Sequence, residues 1–132
     1  VVDQVIAFPD AEATAVTWLT GRLGTGVGVS TRIPNPRPAK LCRVTRTGGV
    51  RRDLVTDDAQ LTFECWGPTE TDAFEICRLA RAYLYAAAGQ TVGGVFVRKV
   101  TDVGGPTNFP DPESDSPRYQ FTATVAVRGA AI

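Results

Sequence analysis

Hydrophobic and polar positions along the chain follow two periods, and both are clearest between residues 59 and 89. Leu61, Phe63 and Cys65 alternate with Gln60, Thr62 and Glu64, the period of two of a strand with one buried and one wet face. Trp66 ends that strand, and Gly67 and Pro68 break it. Thr69 can then cap a helix, with Asp72 three residues on and acidic side chains in the first turn, where the helix dipole favours them. Ala73, Ile76, Cys77, Ala80, Leu84 and Ala87 follow at spacings of three and four, which makes one apolar helical stripe. Arg78 lies off the stripe within reach of Glu75, Arg81 lies off it too, and Gly89 supplies the stop.

The rest of the chain hangs from this strand and helix. Residues 1–9 read as a lead-in, and residues 10–20 as a first helix capped by Asp10, with Ala13, Val16 and Leu19 on one face. Residues 27–33 are rich in β-branched side chains and predict a strand that leaves into an extended loop at Pro34, Pro36 and Pro38. Residues 41–46 predict another strand, and the charged, glycine-containing stretch 47–58 predicts a projecting loop. Residues 92–103 alternate imperfectly, as a strand with a bulge near Gly93 and Gly94 would. Proline keeps the second long loop, 104–117, extended. The last strand is the cleanest, with Tyr119, Phe121, Ala123, Val125 and Val127 on one face, and it pairs naturally with residues 92–103. The order α-β-β-β-α-β-β predicts one α+β domain over residues 1–132, a mostly antiparallel or mixed sheet of about five strands with both helices on one face.

Composition narrows the function without naming it. Fourteen basic residues balance fourteen acidic ones, which argues against a protein that grips nucleic acid over its whole surface. No apolar run is long enough to span a bilayer, and the first nine residues lack the pattern of a signal peptide, so a soluble protein is expected. The absence of Met suggests a processed start. Three cysteines without paired spacing fit a reducing compartment better than a disulfide framework. The chain has no histidine, which removes the commonest general base and the commonest metal ligand together.

Candidate chemistry is correspondingly sparse. Gly24, Gly26 and Gly28 would follow a helix and open a strand, the reverse of a dinucleotide-binding loop. Cys65 and Cys77 fall on inward faces, where a buried thiol is inert. Asp57 and Asp58, or Asp111, Glu113 and Asp115, lack the ligand order of a calcium loop and read as solvated or interface-facing charge. Arg43, Arg46, Arg51 and Arg52 form the densest basic cluster, suited either to phosphates or to a protein interface. No catalytic residue, metal ligand or cofactor site is expected. A small carboxylate-based enzyme and a stand-alone binding module remain competing classes.

Several segments resemble the small tail terminator proteins of long-tailed bacteriophages, especially those of actinobacterial hosts. They are VTDDAQLTFECW at 55–66 running into the long helix, VGGP at 103–106, FPDP at 109–112, and PRYQFTATV at 117–125, with the stretch 28–34 similar as well. The resemblance covers roughly two thirds of the chain as a pattern of strands, turns and prolines. It implies a virion protein that forms a six-membered ring on the head-proximal end of the tail tube. Such a ring stops tube growth and meets the head connector while genomic DNA passes without sequence recognition. No enzyme activity is implied; another neck protein, such as a head-completion or adaptor subunit, is the nearest alternative. For such a subunit the expected contacts to neighbouring copies or rings are Arg51, Arg52, Asp53, Asp57, Asp58, Asn108, Phe109, Asp111 and Glu113, with Arg43, Arg46, Arg51 and Arg52 as lumen-facing candidates.

Overall fold

The computed structural model describes residues 4–132, so the first three residues of the expected lead-in lie outside the described residues. A short strand, β1 (Ile6–Ala7), precedes helix α1 (Ala11–Leu19), β2 (Gly28–Ser30) and the long strands β3 (Leu41–Asp53) and β4 (Thr56–Trp66). Helix α2 (Glu70–Ala86) follows, then β5 (Thr91–Val92), β6 (Val95–Asn108), β7 (Arg118–Arg128) and β8 (Ala130–Ala131). The main sheet has the order β2-β3-β4-β7-β6-β5, while β1 pairs with β8 separately. Only the β2–β3 pair in the main sheet is parallel.

Both helices pack on one face, as their stripes require. Thr69 accepts from the Asp72 backbone N–H at 3.2 Å and Asp10 accepts from that of Ala13 at 3.1 Å, which satisfies amide donors that each helix start would otherwise leave free. The α2 stripe Ala73, Ile76, Cys77, Ala80, Leu84 and Ala87 is buried throughout. It meets Leu61, Phe63 and Cys65 of β4 and Phe121, Ala123 and Val125 of β7, joined from α1 by Ala11, Ala15 and Leu19. β4 and β7 pair in register over their whole length, from Thr56 opposite Arg128 to Trp66 opposite Arg118. Their clean alternation follows from being the two central strands, where one face is always covered.

Two expected loops are largely strand. The stretch 47–58 is the far end of a hairpin in which β3 runs to Asp53 and β4 begins at Thr56. On β3 the residues from Arg46 to Asp53 are exposed and need no apolar side, since backbone pairing and cross-strand ion pairs suffice, whereas Thr56 and Asp57 on β4 are buried and pair with β7. Gly49, at φ +104°, makes the approach possible, because a Cβ there would lie 2.0 Å from the Asp58 carbonyl oxygen. Likewise β6 continues through Gly104 and Gly105 to Asn108, and the true loop is 109–117. Beyond the five expected strands, the sixth is β5, two residues folded back on β6 around Gly93 and Gly94.

Candidate functional site

The sheet face opposite the helices is the largest surface that these elements organise. Every second residue of the central strands points to it: Asp58, Gln60, Thr62 and Glu64 from β4, with Gln120, Thr122 and Thr124 opposite them on β7. Hydroxyls and an amide link three strands across this face. Gln60 donates to Thr47 at 3.3 Å, and the hydroxyls of Thr47 and Thr62, and of Thr62 and Thr122, lie 3.1 Å apart. At one end, Glu64 receives Arg118 at 2.7 Å and Arg43 at 3.5 Å. At the hairpin end, Arg52 meets Asp58 at 2.8 Å. The face is therefore polar, with much of its charge paired internally.

The arginine cluster divides between the two faces. Arg43 and Arg52 stand on the helix-free face with Glu64 and Asp58. Arg46 lies on the helix side, opposite Leu61, by the same alternation that turns Cys42 and Val44 inward. Its guanidinium makes a two-pronged pair with buried Asp57 at 2.7 and 3.0 Å. Arg51 also faces the helix side, opposite Asp57; it donates to the Ile6 carbonyl at 3.2 Å and covers the Phe8 ring. Asp53 accepts from the Val55 backbone N–H and shapes the hairpin turn. A one-residue difference in sequence thus puts Arg51 and Arg52 on opposite sides of the sheet.

The second group is held by a cluster not expected from sequence. Arg118 is almost fully buried; it donates to the Phe109 carbonyl at 2.9 Å, and its guanidinium lies against the rings of Trp66 and Phe109. The Trp66 indole N–H donates to Asp111 at 3.2 Å, and Arg37 covers Trp66 while donating to Ser116 at 3.0 Å. Asp111 also accepts from the Glu113 backbone and the Ser114 hydroxyl. Asn108 ends β6 opposite Tyr119, and Glu113 is exposed. The signal in sequence was the polar residue flanking each inward position, Glu64, Trp66 and Arg118, but alternation alone does not reveal that they meet.

Asp111 is held below the ordinary carboxylate range, first by the Glu113 backbone donor and then by Ser114, Trp66 and nearby Arg118. A carboxyl whose folded pKa is depressed stabilises the fold above its unfolded value, about 3.9, and that contribution is lost as pH falls through the folded value. Acidification below about pH 4 is therefore expected to loosen the 109–117 loop. The check is Trp66 fluorescence in a Trp18→Phe background, which should titrate in this range and cease to do so in Asp111→Asn.

Nothing in the cysteines adds chemistry. Cys42, Cys65 and Cys77 are free and buried. Burial pushes the Cys65 thiol well up, reinforced by Cys42 and Cys77 beside it. Iodoacetamide should leave all three unmodified in the native protein at pH 8 and alkylate three per chain in denaturant, as read by intact mass. Among the described residues no group of three or more Cys, Asp or Glu side chains is placed to hold a metal ion, and no helix is long and apolar enough to cross a membrane.

Fold and face together define a small α+β domain with both helices on one side of the sheet and a polar, hydroxyl-rich surface on the other. The chain belongs to the phage tail termination protein family, whose family model matches residues 7–131. It is a structural component of a bacteriophage tail, and hence of the virion. No curated protein matches the sequence.

Proposed function

We propose that copies of this chain form a ring, six in number, on the head-proximal end of the tail tube. The ring ends tube polymerisation, offers the surface that meets the head connector or head-completion proteins, and leaves a channel for genomic DNA. The observation that carries this reading is the helix-free sheet face, with its hydroxyl network and its internally paired Arg43, Arg52 and Arg118. A wall past which a polyanion must slide should offer hydrogen-bonding groups without a row of free cations, because each phosphate neutralised adds affinity. Arg98, Lys99 and Arg128, cations with no acidic partner among the described residues, gather at the hairpin end, where Arg98 donates to Thr56 opposite Arg128, so the unpaired charge of the face is confined to one end. No sequence recognition of DNA is expected of such a surface.

Electron microscopy of particles from a lysate lacking this gene tests the reading. Overlong tails without heads support termination. Tails of normal length that fail to join heads would overturn it and move the subunit to the adaptor side of the neck. Within the ring, Arg52 is the candidate contact; it is half exposed although its partner Asp58 is only 16% exposed. Arg52→Ala should therefore cost the fold about 1 kcal/mol, a few degrees in melting temperature, while lowering phage titre well beyond that, and an unchanged titre would remove Arg52 from the interface. Arg51→Ala is not equivalent, because it also frees the segment at Ile6 and Phe8.

A further inference from the structure

The main sheet has two open edges. β2 covers only Leu41 to Arg43 of the outer side of β3, and β5 covers only Val95 and Phe96 of β6. These short guards sit at opposite ends of the sheet, because Leu41 is level with Trp66 and Arg118, whereas Val97 is level with Val127. Val97 is also bonded by Gly89 and Gln90, and the Arg46 backbone N–H donates to Glu12, so uncovered strand remains on β3 over residues 47–53 and on β6 over residues 98–108. Long uncovered edges are what folded proteins ordinarily avoid, and they are templates for another strand.

We propose that residues 48–53 of β3 in one copy pair with residues 100–105 of β6 in the next, so that the sheet continues antiparallel from subunit to subunit. This inference rests on the ring reading and specifies how its subunits join. A second copy is the occupant that the topology fits. Because β3, β4, β7 and β6 alternate in direction, the two edges of one sheet run oppositely, and joining the edge of one copy to the other edge of the next is antiparallel with all helices on one side. Contact between two different edges is heterologous, the kind that closes into a ring.

Side-chain direction selects the register: Arg51 and Asp102 both point to the helix side, through their partners Asp57 and Ala123, and Asp102, already held by Arg81 of its own chain, would take Arg51 as a second partner. Setting Arg51 beside Asp102 of the neighbour puts Val50 beside Val103, two valines that are 70% and 54% exposed in the single chain. Gly48 then meets Gly105, next to the β3 bulge at 46–48 and to Pro106, which lacks an N–H, while the irregularities at 51–53 of β3 and 102–104 of β6 fall beside each other within the paired segment. The same approach brings Phe8, which Arg51 covers, toward the apolar groove of about 490 Å³ beside α2, lined by Phe74, Leu84, Tyr85, Val100 and Pro106.

The stagger this register demands is itself a check. Within one chain Asp102 is level with Arg46, through Ala123 and Leu61, whereas Arg51 is level with Asp57, four residues further along β4 than Leu61. Each subunit of four long strands is thus displaced by four residues along the strand direction. A rise of about 13 Å over a width of about 19 Å inclines the strands by roughly 35°, at the lower limit of the tilt of closed barrels. The helix-free face would then line the closed surface.

The test is disulfide capture between Val50→Cys and Val103→Cys in one chain, carried by tails purified from phage that complement a deletion of the gene. Within a chain the two positions are separated by three strand spacings, about 14 Å, and by about 13 Å along the strands, together roughly 19 Å and beyond the roughly 7 Å that a disulfide spans. Mild oxidation with diamide should give a ladder of covalent multimers ending in one highest band, absent from either single variant. Arg52→Cys with Thr101→Cys reads the adjacent register position and should give the same ladder. Tails that carry both double variants as a ring visible by microscopy, yet yield only monomer on the gel, would overturn the edge pairing and leave the ring reading intact. Wild-type tails without this protein at their head-proximal end would overturn the ring reading and the pairing with it.

Discussion

Phe63→Ala is expected to be the most destabilising single truncation in the core, lowering unfolding free energy by about 4 kcal/mol. Phe63 and Phe121 are cross-strand partners on the two central strands, and their rings stack at 4.5 Å with planes within 6°. Both are buried against the α2 stripe, so truncation leaves a cavity that two registered strands and a helix cannot readily collapse around. Such a loss is a large share of the net stability of a domain this size, 5–15 kcal/mol on the order of magnitude. Urea unfolding at pH 7 followed by circular dichroism gives the number, and a drop of roughly 12 °C in melting temperature should accompany it. A loss below about 1 kcal/mol would show that the pair is not the centre of the core.

Arg118→Ala is expected to cost about 3 kcal/mol, although arginine at the start of a strand would ordinarily be dispensable. Its side chain is only 9% exposed, and it joins Glu64, the Phe109 carbonyl, Trp66 and Phe109 in one cluster. Removing it leaves Glu64, itself little exposed, with only the longer 3.5 Å contact to Arg43. The 109–117 loop also loses its anchor on β7. Arg118→Lys should recover part of the loss, because it restores the charge but not the planar group that reaches the carbonyl and carboxylate together. Hydrogen exchange distinguishes this from a core defect: protection should fall first at Phe109 and Asp111, whose amides bond back across the loop to Arg118 and Ser116. Equal loss throughout the sheet would contradict the local role.

These two residues also mark how far the sequence could be read. Phe63 and Phe121 were legible as inward positions because each central strand alternates without a break, and a face covered by helices leaves that period in the residues. Arg118 was visible only as a charged residue beside a proline. Its partners Glu64 and Phe109 are separated from it by 54 and 9 positions and are brought together by β4–β7 pairing and the loop return. The loop expected at 47–58 failed for the complementary reason. β3 is exposed from Arg46 on and the buried β4 residues Thr56 and Asp57 are polar, so apolar alternation disappears although the backbone ladder continues to Asp53 and Thr56. The same holds for β6 past Val103, where Gly104, Gly105 and Pro106 read as loop and form strand.

Local chemistry in the sequence alone therefore determined the two helices with their caps, the central strands, the buried cysteines and an α+β architecture with helices on one face. Each of these depends on short-range periodicity or on hydrogen bonds a few residues apart. Only the tertiary structure decided the strand order, the two open edges and the side to which each arginine of the cluster turns. Alternation turns Arg51 and Arg52 to opposite sides, while the bulge at 46–48 shifts the phase so that Arg46 and Arg51, five residues apart, share the helix side; a bulge redirects the side chains beyond it without changing the composition that a sequence displays.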